Sequence, residues 1–144
     1  MCACGLTSQF IEQEGAAVVQ FERVDDEGVA QLLDLADKAR TALLRAGLPV
    51  SLTSDNSDAP GALIEVDEGA DEAGGVFITW SLSPEFTAEV SGFLLSGEIT
   101  HPSIQLSGEI KAAMIDSILK MLNSSGLSAA LSDDDMRPLS VVVS

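Results

Sequence analysis

Three runs in the middle of the 144-residue chain alternate apolar and polar side chains with a period of two. Val50 and Leu52 alternate with Ser51 and Thr53. Ala62, Ile64 and Val66 alternate with Leu63, Glu65 and Asp67. Val76, Ile78, Trp80 and Leu82 alternate with Phe77, Thr79 and Ser81. Successive side chains of a strand point to opposite faces, so this pattern predicts half-buried strands with one face on the core and one face wet. The links Ser54 to Gly61 and Glu68 to Gly75 are rich in Asp, Asn, Ser and Gly, as surface turns are. The simplest arrangement is a three-stranded antiparallel meander, whose apolar face needs a layer of helices to cover it.

The flanking sequence supplies those helices. Across 26–46, Val29, Leu32, Leu33, Ala36, Ala39, Leu43 and Leu44 recur at the spacing of one helical face. Asp25 is the expected N-cap, and Gly47 and Pro49 stop the helix. Ser83-Pro84-Glu85 announces a second helix, with Phe86, Val90, Phe93 and Leu94 as its apolar face and Ser96-Gly97 as its end. A third helix is expected over 103–125, where Ile110, Met114, Ile118, Met121 and Leu122 share a face and Ile115 and Leu119 widen it, a breadth that predicts deep burial. Leu127 to Leu131 reads as its extension, and Leu139 to Val143 as a final strand that is interior or paired. Within 9–24 the residues 16–22 fit a strand or a helix; the Val pair and Phe21 favour strand, and Gly15 weakens a helix. Leu-Ser-Gly-Glu-Ile occurs at 95–99 and again at 106–110, with no longer period to make it a structural repeat. The sequence therefore predicts one α+β domain over 1–144, with 1–8 as a flexible terminal segment. An antiparallel sheet of four to five strands packs against two to three helices, in a single layer on one face.

Composition narrows the functional classes. With 46% hydrophobic residues the chain has a core to build, so its net charge of −16 does not signal disorder. The charge is unevenly placed: no Lys or Arg lies between Arg45 and Lys111, while that window holds Asp55, Asp58, Glu65, Asp67, Glu68, Asp71, Glu72, Glu85, Glu89, Glu98 and Glu109. Nucleic-acid binding is not expected, because phosphate recognition needs clustered cations. No apolar run approaches about 18 residues, so no membrane helix is expected. An acidic surface of this kind keeps a protein soluble, or it receives a basic partner. Leu63 and Phe77 fall on the predicted wet face beside Glu65, Asp67 and Asp71, and apolar groups among carboxylates are what a protein-binding patch looks like. These five residues are the candidates for engaging a basic protein partner.

Other motifs carry less. Met-Cys-Ala-Cys-Gly at the N-terminus is not followed by an apolar stretch, so the chain reads as cytoplasmic. Cys2, Cys4 and the single histidine fall short of the four ligands of a closed zinc site, and no metal is expected. Asp55 to Gly61 fails the calcium-loop pattern, with Ala59 at position 5 and Pro60 at position 6. No phosphate-cradling Gly motif is present, so no cofactor is expected. Trp80 shares the core side of its run with Val76 and Ile78. His101 sits before Pro102 in the link between two helices. Its alternative role is that of a general base in a small hydrolase or transferase, which requires a hydroxyl or carboxylate within reach in a cleft. A homodimer through an open edge at the apolar final strand is compatible with either reading.

Overall fold

The computed structural model describes residues 25–55, 58–69, 75–133 and 138–144. The expectations for 1–8 and 16–22, and Asp71, lie outside the described residues. The fold is α+β: a five-stranded mixed sheet, mostly antiparallel, with three helices. The chain runs through α1 (Asp26–Arg45), β1 (Val50–Leu52), a 3-10 turn (Thr53–Asp55), β2 (Gly61–Asp67), β3 (Gly75–Ser81), α2 (Pro84–Leu95), α3 (Pro102–Ser124), β4 (Ala129–Leu131) and β5 (Val141–Val143). In space the strands follow the order β1-β2-β3-β5-β4.

α1 starts where its sequence says it should. Asp25 Oδ1 accepts the Gly28 N–H at 2.8 Å, Asp26 and Glu27 occupy the first turn, and Arg45 closes the last. It buries Ala36, Ala39 and Leu43, while Leu33 and Leu44, at the margins of its stripe, stay exposed. These residues meet Ala62 and Ile64 of β2, Val76 and Ile78 of β3, Ile115, Ile118 and Leu122 of α3, and Val141 and Val143 of β5 in one core. Trp80 packs against its rim, on the side its alternation assigned.

The meander needs one correction. β2 and β3 are antiparallel over their whole length, but β1 runs parallel to β2, with Val50 opposite Ala62 and Leu52 opposite Ile64. Parallel neighbours usually need a crossover of a dozen or more residues. The short path through residues 53–60 suffices because a three-residue strand only requires the chain to return about 10 Å. The Asp55 carboxylate turns the chain by accepting the Leu52 N–H at 3.1 Å. Gly61 then lets β2 begin against β1: its φ is +124°, and a Cβ there would stand 2.6 Å from the Pro49 carbonyl oxygen.

Two further differences lie toward the C-terminus. Residues 129–131 form β4 rather than a helical extension, because the Asn123 side chain clamps Ala129 from both sides. Its amide donates to the Ala129 carbonyl, and its oxygen accepts the Ala129 N–H, each at 3.0 Å. β5 is paired and interior, as expected, with β3 on one side and β4 on the other, so it is not the open edge that the homodimer reading used. Edge pairing through β5 therefore has no free strand side to use.

α3 is buried only in its second half, where Ile115, Ile118 and Leu122 lie; Ile110 and Met114 are half-buried. The reason is length. A 23-residue helix spans about 34 Å, whereas a seven-residue strand spans about 23 Å, so the helix overhangs the sheet. The overhanging part carries α2. No residue from 79 to 114 is buried.

Candidate functional site

The sheet face turned away from α1 and α3 gathers most of the residues that the charge pattern pointed to. Leu63, Glu65 and Asp67 alternate along β2, and Phe77 stands directly opposite Glu65 on β3. Phe77 also pairs with Val142 of β5. Leu63, Glu65 and Asp67 are half-buried, and Asp67 Oδ1 accepts the Gly69 N–H at 2.9 Å to start the next turn.

Phe77 does not lie on an open wet face. It is 3% exposed, on a central strand between β2 and β5. Glu65, Asp67 and Phe77 each have interaction partners within the molecule. The structure thus places Leu63, Glu65, Asp67 and Phe77 on one face of the sheet, with the Phe77 ring buried and the other three half-buried.

His101 is bound into the hairpin. It is the N-cap of α3: its Nδ1 accepts the Ser103 N–H at 3.1 Å, which puts the proton of the neutral ring on Nε2. Its ring is stacked on Phe93. Ser103 Oγ donates to Glu89 Oε2 at 2.6 Å instead of to the imidazole. A nucleophile–base hydrogen bond between Ser103 and His101 is therefore not made.

Two concavities flank the sheet. One of about 320 Å³ lies between α1 and the β1–β2 end, floored by Ala36, Leu52, Ile64 and Val66 and rimmed by Asp37, Arg40 and Glu68. Its size is at the low end for a small-molecule site, and its rim mixes both charge signs. The other, about 550 Å³ and open, lies where Leu63, Trp80 and Leu82 meet Thr87, Ala88 and Lys111. Among the described residues no three His, Cys, Asp or Glu side chains gather as a metal cluster. No helix among them is long and apolar enough to cross a membrane.

The feature that sequence reasoning missed is the closed end of the α2–α3 hairpin. Leu94, Leu95, Ile99 and Leu106 are all exposed there, Leu95 at 90% and Ile99 at 69%. Glu85, Glu89, Glu98 and Glu109 stand exposed on the same hairpin, and the first cation after Arg45 is Lys111. The signal was the repeated pentapeptide: Leu95, Ile99 and Leu106 all belong to its two copies. Periodicity alone assigned the apolar residues of α2 and α3 to a core, and the sheet is too short to supply one. In comparisons with known proteins, no family model, no curated protein and no solved structure matches the chain.

Proposed function

We propose that the protein is a small non-enzymatic binding module of the cytoplasm that engages a basic protein partner. One coincidence supports this reading above the rest. The hairpin from Pro84 to Glu109 carries carboxylates and no cation, and large aliphatic side chains stand in solvent on it. Carboxylates speed the encounter with a cationic partner and reject acidic ones, while desolvated apolar side chains supply the affinity. The hydrolase or transferase reading has no comparable support, since the His101 ring already caps a helix and stacks on Phe93.

The test is affinity capture with the full chain at low and at high salt, beside a charge-reversed variant (Glu85→Lys, Glu98→Lys, Glu109→Lys). The reading expects a partner rich in Lys or Arg that is lost in high salt and lost to the variant. A partner that is acidic, or that is retained equally under all conditions, overturns it.

A further inference from the structure

α2 and the first half of α3 present an arrangement that folding alone does not explain. They hold Phe86, Val90, Phe93, Ile104 and Ile110, yet none of these is buried. The arm is nevertheless held in one shape at its closed end. Phe93 stacks on His101, Ser103 binds Glu89, and the Glu98 N–H returns to the Phe93 carbonyl at 2.9 Å. Gly97, at φ +83°, supplies the left-handed step that this ending of α2 requires. Leu94 and Leu95 lie in the last turn of α2, Ile99 in the connector, and Leu106 about 6 Å along α3 from Pro102. The exposed leucines and the isoleucine are thus grouped at one end of a pinned hairpin rather than scattered along a fraying segment.

Such a surface costs solubility unless something covers it. A second copy of this chain is the poorer occupant. Two hairpins would bring together two sets of Glu85, Glu89, Glu98 and Glu109 with no cation between them, and none of the four forms an ion pair among the described residues. An added strand is poorer still, because Leu94, Leu95 and Leu106 belong to helices and offer no strand edge. Two helices side by side offer a groove that a third helix fills with side chains at positions i, i+3, i+4 and i+7.

We infer that the closed end of the α2–α3 hairpin is a docking site for an amphipathic helix of a partner protein, whose apolar face seats on Leu95, Ile99 and Leu106 and whose Lys or Arg flanks meet Glu98 and Glu109. This rests on the reading of the protein as a binder of basic partners, and it names where and in what conformation that partner binds.

The probe is a synthetic helical peptide of about 18 residues, five turns, made of Leu and Lys with Leu on one face. Its control has the same composition in scrambled order. Titration by fluorescence anisotropy compares the unaltered protein with Leu95→Ser/Ile99→Ser and with Glu65→Lys/Asp67→Lys on the sheet face. The inference expects the patterned peptide to bind, the scrambled one to bind at least about tenfold more weakly, and Leu95→Ser/Ile99→Ser to cost about tenfold, as expected from losing two aliphatic contacts. Sheet-face reversal should then cost under about threefold. Equal binding of both peptides, or loss only on sheet-face reversal, overturns the docking site and leaves the basic-partner reading standing. Absence of binding to either peptide overturns both. A dimer in sedimentation that Leu95→Ser/Ile99→Ser dissociates, with no peptide bound by the unaltered protein, assigns the surface to a second copy and overturns the inference as well.

Discussion

The imidazole of His101 lies flat against the ring of Phe93, with centroids 3.5 Å apart and planes 13° from parallel. The same ring accepts the Ser103 N–H through Nδ1. One side chain therefore serves both as a helix cap and as one half of a stacked pair. His101→Ala removes both roles and should cost about 1–2 kcal/mol, whereas His101→Asn keeps a capping oxygen and should cost about half as much. Urea unfolding measures the difference, and amide exchange at Ser103 to Ser107 locates it. Equal losses would mean that the cap contributes nothing.

Gly61 tolerates no side chain. Its φ of +124° disfavours any other residue, and the added Cβ would press on the Pro49 carbonyl that accepts the Ala62 N–H. Gly61→Ala should destabilise by more than about 2 kcal/mol. Thermal unfolding checks this, and a variant as stable as the parent would show that β1 can move aside.

Ile78 and Leu95 should behave as opposites. Ile78 is fully buried at the centre of the sheet, so Ile78→Ala should cost about 2–5 kcal/mol through lost transfer energy and an unfilled cavity. Leu95→Ala should fall within about 0.5 kcal/mol of the parent. Parallel denaturation curves decide the matter, and a large loss at Leu95 would give that residue a structural role.

Added sodium chloride should raise the melting temperature by a few degrees. Among the described residues Lys38 pairs with Asp34 and Lys120 with Asp116, both pairs exposed and each spanning one helical turn. Each contributes about 0.3–0.5 kcal/mol. Screening these weak pairs loses less than screening the self-repulsion of a chain at −16 gains. Calorimetry at low and moderate salt gives the sign, and a falling midpoint would refute the argument.

The parts of the fold legible in the sequence are those decided by near neighbours. Asp25, Ser83 and Pro84 marked helix starts through local hydrogen-bond chemistry, and the alternation along 62–66 and 76–80 assigned the correct face to Ile64, Val76 and Ile78. What escaped depends on distant partners. The direction of β1 is set by a loop path, and β4 by the Asn123 clamp on an Ala-Ala-Leu segment without alternation. Phe77 read as exposed because its alternation showed only its own strand, and nothing near it in the sequence signalled that β5 pairs beside it through Val142. The pentapeptide makes the same point most sharply. Gly97 ends a helix at positive φ in one copy, and Gly108 sits inside a helix in the other. Identical residues take two conformations there, and both copies leave a leucine in solvent. For His101, the sequence placed it in a link between helices but held no sign that its ring nitrogen would be taken up as a cap.

The strand order also sets a clock. β3 follows β2 directly along the chain, but the other side of β3 waits for β5, so that Val76 finds Val143 only after the segment holding α2, α3 and β4 has been placed. Loop-closure entropy puts the first pairing early and the second late. Until then one side of β3 stands open, with Ile78 and Val76 lacking their valine partners, which is the kind of edge through which unfinished chains associate. The time taken to place α2, α3 and β4 is therefore the time for which one side of β3 remains unguarded.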